Sequence, residues 1–224
     1  MDGIQYDGLF RFSEQAALQL GVLLDLGGPV TLILLALSLL ALAVVIVKLW
    51  QFAVLRIGAS RYAERALQHW REGRMNEAVD IVQRRRSPLA QVLTAAMAGL
   101  QGGDEANVRE EVQRVAAVVL EDLRSYLRVL ELVASLSPLL GLLGTVLGMI
   151  AAFQQLEQAG SRIDPALLSG GIWQALLTTA IGLSVAIPTV LVLSWLERRI
   201  ERCAHIMEDC VTRVFVQRPD HATG

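Results

Sequence analysis

Three stretches of this sequence run without a single ionisable side chain, and their lengths restrict the chain to few folds. They extend from Leu26 to Val47, from Leu132 to Leu156, and from Pro165 to Leu196. A helix needs about 20 apolar residues to cross a bilayer, so each stretch qualifies as a membrane span. At 1.5 Å per residue the third would be roughly 48 Å long if wholly helical, against a hydrocarbon core of roughly 30 Å, so part of it lies outside the core. Composition agrees: 54% of the 224 residues are hydrophobic and 19% charged, where a typical globular chain carries about a quarter charged residues. A chain of this length is too short to wrap polar layers around three buried helices of this kind. The first stretch does not read as a cleavable leader. It follows an acidic segment (Asp2, Asp7, Glu14 and Asp25 against Arg11) and lacks a basic start and a small-residue cleavage site.

Several function classes fall away. A net charge of −2 and a pI near 5.9 argue against a general nucleic-acid binder. Two cysteines exclude a disulfide scaffold, and Cys203 and Cys210 read as small apolar residues of a packed helix face. His69, His205 and His221 have no ligand spacing, so no metal site is expected. There is no phosphate loop, no Gly-x-Ser-x-Gly and no carboxylate pair in an apolar setting. The reading is therefore neither an enzyme nor a cofactor protein. Arg84-Arg85-Arg86 reads as a solvated charge run ending a helix.

Basic residues near the membrane set orientation. Lys48, Arg56, Arg61 and Arg65 follow the first span; Arg114, Arg124 and Arg128 precede the second; Arg198, Arg199 and Arg202 follow the third. Only Arg11 and Arg162 lie at the opposite ends. The expected order is a periplasmic segment (1–25), a first span (26–49), a cytoplasmic helical domain (50–131), a second span (132–156), a periplasmic loop (157–170), a third span (171–196) and a cytoplasmic C-terminal helix and tail (197–224). The fold class is all-α. Arg56, Arg61 and Arg198 are placed to meet lipid headgroups.

In the cytoplasmic domain the pattern predicts a helix pair over 61–86 broken near Gly73, and a helix opened by Ser87-Pro88 and running to about Leu100. A turn at Gly102-Gly103-Asp104 follows. From Val108, apolar residues recur through Val112, Val115, Val119, Leu123, Tyr126, Leu130 and Val133 without a breaker. One helix from about Glu105 to Leu156 is therefore expected. Its stripe needs a partner, and the tail stripe of Leu196, Ile200, Cys203, Ile206 or Met207, Cys210 and Val214 is the natural one, giving a helical bundle.

The spans differ in chemistry. The first is aliphatic, with hydroxyls only at Thr31 and Ser38, as a lipid-facing helix would be. In the second, Pro138, Gly141, Thr145, Gly148 and Ala152 form a small-residue stripe, and Gly144-x-x-x-Gly148 is a close-packing pattern. The third repeats the arrangement with Gly171, Ala175, Thr178, Gly182, Ala186 and Thr189, with Thr179 beside it and Pro188 further on. Such stripes let helices approach closely, or they line a narrow lumen; the pairing of two favours a lumen with Thr145, Thr178, Thr179 and Gln174 along the ion path. Proton paths normally use an intramembrane ionisable group. Neither span has one, and Gln174 is the strongest polar side chain. A proton route would need a carboxylate from another chain.

The blocks Ser137-Pro138-Leu139-Leu140-Gly141-Leu142-Leu143-Gly144-Thr145-Val146-Leu147-Gly148-Met149-Ile150 and Gly171-Ile172-Trp173-Gln174-Ala175-Leu176-Leu177-Thr178-Thr179-Ala180-Ile181-Gly182-Leu183, followed by Ala186-Ile187-Pro188, resemble the MotA/TolQ/ExbB proton-channel family, most of all its ExbB branch. The likeness covers about residues 28 to 215. It implies a bacterial inner-membrane protein forming a homopentamer around two ExbD-like partners, each bringing an intramembrane aspartate. Proton flow would then drive a TonB-like effector that energises outer-membrane transport. It also implies that Thr145 and Thr179 are lumen threonines. The family's glutamate is replaced here by Gln174, so proton uptake by this subunit itself is not implied. TolQ-like envelope maintenance, a gliding or flagellar stator, and a non-conducting membrane scaffold are the alternatives.

Overall fold

The computed structural model describes residues 4–55, 61–159 and 165–217, with side-chain surroundings from Gly28 in the first segment, up to 158 in the second and from 168 in the third. All regular structure there is helical: α1 (Ile4–Val54), α2 (Arg61–Arg71), α3 (Met75–Gln83), α4 (Pro88–Leu100), α5 (Glu105–Arg124), α6 (Leu127–Ala159) and α7 (Pro165–Val216). Three of the helical stretches are long and apolar enough to cross a membrane. Within α1 the chain kinks at Gly28, whose φ of 63° suits a residue without Cβ, just before Pro29. Arg56, Arg162 and His221 lie outside the described residues.

The chain divides into two compact units, one of Met1–Val44 with Val129–Val192 and one of Val45–Arg128 with Leu193–Gly224. In the first, small residues are inside: Gly141, Gly144, Ala152, Ala175, Gly182 and Ala186 are buried. Large apolar side chains such as Leu139, Leu142, Phe153, Leu176 and Leu191 are exposed. This inverts the pattern of a water-soluble core and suits helices surrounded by lipid or partner helices. The first-span stretch of α1 buries Val30, Thr31, Leu34 and Ala41 and exposes Leu32, Ile33, Leu39 and Leu42. One side of it therefore packs within the unit rather than facing out.

The second unit has a conventional core. α2 to α5 bury Leu67, Trp70, Val82, Leu93, Met97, Leu100, Val112 and Leu123, and α7 adds Leu196, Ile200, Cys203, Met207, Cys210 and Val214. The α7 stripe repeats at steps of four and three, the spacing of helices packed side by side. Met207, rather than Ile206, completes it. Arg109 stacks over Phe215, 4.7 Å from the ring centroid, on the α5 side of this packing. The Trp70 indole donates to the Val214 carbonyl at 3.0 Å and so holds the end of α7. Helix ends fall where the sequence signals them. Gly73 adopts φ 77° between α2 and α3, and Ser87 caps α4 by accepting from the Ala90 amide at 3.2 Å with Pro88 in the first turn.

The expected uninterrupted helix from Glu105 to Leu156 is not present. α5 stops at Arg124, Tyr126 takes a left-handed φ of 62°, and α6 starts at Leu127. Tyr126 therefore leaves the stripe and is 63% exposed. At the break the amine of Lys48, fully buried, donates to the Leu123 carbonyl at 3.1 Å and to Ser125 Oγ at 3.2 Å. In a continuous helix the Leu123 carbonyl would accept from the Leu127 amide.

Candidate functional site

Within the first unit α6 and α7 run side by side through their small residues, and the closeness is set by the absence of side chains. A methyl group at Gly182 would lie 2.6 Å from the Ser137 carbonyl oxygen and 3.1 Å from Gly141 Cα. One at Gly141 would lie 3.1 Å from Thr179 Cα, and one at Gly144 2.5 Å from Thr178 Oγ1. Further along, Gly148 meets Ala175 and Gly171 meets Ala152 in the same way. Later positions of α6 thus meet earlier positions of α7, so the helices are antiparallel.

The seam on α6 is therefore Ser137, Gly141, Gly144, Gly148 and Ala152. Of the expected stripe, Pro138 and Thr145 lie beside it rather than in it. The sequence could not separate the two choices, because Ser137 and Pro138, like Gly144 and Thr145, are adjacent small residues that fit the same helical period. On α7 the seam follows the expected Gly171, Ala175, Thr178 and Gly182. Pro188 is exposed.

Hydroxyls are spent mostly inside the seam. Thr178, 2% exposed, donates to its own helix at Ala175 O (2.7 Å) and lies 3.4 Å from Gly141 O. Thr178 is therefore packed between α6 and α7 of the same chain. Thr179 is half-buried and donates across to Gly141 O at 3.0 Å. Ser137 donates to Val133 O and Thr189 to Val185 O, each at 2.7 Å. Each bond satisfies a group that hydrocarbon would leave unpaired. Thr145 is different: it is half-exposed and donates back to Leu142 O of its own turn, at 2.6 Å.

Thr145 and Thr179 each follow a seam position, Gly144 and Thr178, that meet each other. On antiparallel helices the residue after each of two facing positions turns to the same side, so the two threonines lie on one flank, with Thr179 nearer Gly141, to whose carbonyl it donates. Gln174 precedes its seam residue Ala175 and lies on the other flank, half-buried. The arrangement is a closely packed two-helix wedge with hydroxyls on one edge and a carboxamide on the other. Among the described residues no group of three or more histidines, cysteines or carboxylates is placed to hold a metal ion. Arg61 and Arg198, expected at lipid headgroups, are both exposed in the second unit.

Comparison with known proteins converges on the same segments. Residues 84–209 match the MotA/TolQ/ExbB proton channel family. An ExbB-like biopolymer transport protein of Synechocystis sp. is 30% identical over 166 residues, which are 74% of this chain and 79% of that protein. The biopolymer transport protein exbB1 of Vibrio cholerae is 41% identical over 87 residues, 37% of this chain and 38% of that one. The Tol-Pal system protein TolQ of Haemophilus influenzae is 41% identical over 81 residues, 36% of this chain and 35% of its own. The chain thus spans little more than a third of the last two relatives. The match covers α4 and α5 and both helices of the seam, and it is to a family of channels, not of enzymes. A multi-pass, all-helical membrane protein with these two spans is an ExbB-like member of the MotA/TolQ/ExbB proton channel family.

Proposed function

We propose that this chain is the stator subunit of a proton-driven motor in a bacterial inner membrane. In this reading five copies enclose the single spans of ExbD-like partners, and proton flow along the partner's intramembrane aspartate energises a TonB-like effector for outer-membrane transport. The N-terminus lies in the periplasm and the C-terminus in the cytoplasm, as the positions of the basic residues indicate. Arg56, Arg61 and Arg198 then lie at the headgroup level.

The observation that carries the reading is the wedge. Its seam is packed backbone to backbone, and Thr145 with Thr179 stands on one flank without any ionisable group between Leu132 and Leu156 or between Pro165 and Leu196. A rigid wall offering hydroxyls but no charge suits a subunit whose partner supplies the titrating group. Co-purification with a single-span protein carrying an intramembrane aspartate tests this. A stable oligomer with bound partner is expected; a monomer with no affinity for such a protein refutes it.

The 41% identity to TolQ supports a second reading, envelope maintenance through a TolR-like partner. The effector encoded beside the partner gene separates the two. A third, a scaffold that conducts nothing, is motivated by the uncharged spans. Gln174→Glu separates it: altered proton-linked activity places the site on the ion path, whereas loss of the oligomer with no change in flux assigns it to packing.

A further inference from the structure

The break between α5 and α6 contains no glycine or proline, and two side chains take the place of the missing helical donors. In a continuous helix the Tyr126 amide would donate to Asp122 O and the Leu127 amide to Leu123 O. Here Ser125 Oγ donates to Asp122 O at 2.7 Å, and Lys48 Nζ donates to Leu123 O at 3.1 Å. An amine has three donors. The other two of Lys48 reach Ser125 Oγ at 3.2 Å and Gln51 Oε1 at 2.9 Å. The Tyr126 ring, turned outward by its left-handed backbone, lies 5.8 Å from the same nitrogen, within cation–π range. The amine is fully buried and also sits at the carbonyl end of α5, where positive charge is favoured.

We propose that Lys48 is a positioning residue that holds this break open. It fixes the cytoplasmic end of the first membrane helix to the point where the 105–159 segment is interrupted, and without it the segment closes into one helix. A non-glycine residue in the left-handed region is disfavoured, and Tyr126 pays that cost only while Lys48 occupies the Leu123 carbonyl.

Hydrogen exchange of the 126–128 amides in the purified full-length chain tests this. Lys48→Met preserves length and bulk but removes the donors. Exchange at 126–128 is expected to slow by roughly 5- to 30-fold, the equilibrium factor matching one left-handed non-glycine residue, because the helix closes. General loosening would speed exchange instead. Adding Tyr126→Gly removes the backbone cost, so fast exchange should return in the double variant. Unchanged or faster exchange in Lys48→Met, or slow exchange in the double variant, overturns the proposal. If Lys48→Met does not fold, Ser125→Ala decides. It removes the donor to Asp122 O and one acceptor of Lys48, so the Tyr126 amide must slow; fast exchange there overturns the proposal equally.

Discussion

Gly182→Ala tests the seam where an added methyl comes nearest to backbone atoms. The added methyl would meet the Ser137 carbonyl oxygen at 2.6 Å and Gly141 Cα at 3.1 Å. Both are backbone atoms, so neither can rotate aside, and the helices must part by about 0.8 Å to reach ordinary contact. Overpacking of this kind costs about 1 to 3 kcal/mol. The same displacement carries the Thr179 hydroxyl, now 3.0 Å from Gly141 O, beyond hydrogen-bond reach. An interhelical bond in a membrane protein averages about 0.6 kcal/mol, so the expected loss is about 1.6 to 3.6 kcal/mol in all.

The assay is unfolding of the purified chain from mild detergent by a denaturing one, followed by circular dichroism. Gly170→Ala is the control: a methyl there has nothing within 4 Å, and its effect should stay within about 0.5 kcal/mol. Gly171→Ala adds a check on register. Its methyl would lie 2.5 Å from the Ala152 methyl, so Ala152→Gly should restore the stability that Gly171→Ala loses. If Gly182→Ala matches Gly170→Ala, the small stripes are not a packed seam, and the wedge on which the proposed function stands is wrong.

Trp70→Phe should cost about 1 kcal/mol by leaving the Val214 carbonyl unpaired, and Trp70→Ala about 3 to 5 kcal/mol; faster tryptic cleavage at Arg213 would report release of the α7 end. Burial raises the Tyr62 phenol, and it pushes the Cys203 and Cys210 thiols up to about 11. The folded chain then keeps protons that the unfolded chain sheds, so stability is full below about pH 9 and falls as pH rises towards 11. A thermal midpoint that does not fall as pH rises towards about 11 would refute this. Thr145→Val should leave stability within about 0.5 kcal/mol and lower proton-linked activity, whereas Thr178→Val should cost about 1 kcal/mol by removing a buried hydroxyl's bond to Ala175 O; the reverse pattern would exchange their roles.

What the sequence reveals follows from how local the determining physics is. Membrane helices are visible because hydrocarbon forbids charge over a whole span, and the ends of α2, α3 and α4 because Gly73, Ser87 and Pro88 act within one turn. The tail stripe is visible because burial repeats along one helix. The break at Tyr126 is invisible because the donor that meets the Leu123 carbonyl there is Lys48, distant in sequence, whose charge at the end of a span reads first as a topology signal. The seam is half visible. Small residues mark the contact, but when Ser137 and Pro138, or Gly144 and Thr145, stand side by side, only the partner helix decides which of each pair is used.

That choice of face bears on how a partner helix can be engaged. Gln174 and Thr179 are five residues apart on α7, an angle of about 140° at 3.6 residues per turn. A helix buries a stripe of about 100° against a neighbour. One inner helix seated on the Thr145 and Thr179 flank of a wedge therefore does not also reach Gln174 of that wedge. In a closed ring every subunit meets its two neighbours through two different surfaces; if those are the two flanks of the wedge, one copy's carboxamide flank turns towards the next copy's hydroxyl flank. In the proposed ring, an inner helix that touches both chemistries does so at the junction of two copies, taking Gln174 from one and the threonine pair from the other. If the proposed ring forms, the polar contact offered to a partner's aspartate would exist only in the assembly, and a subunit without any titratable group in its spans would still serve a proton path.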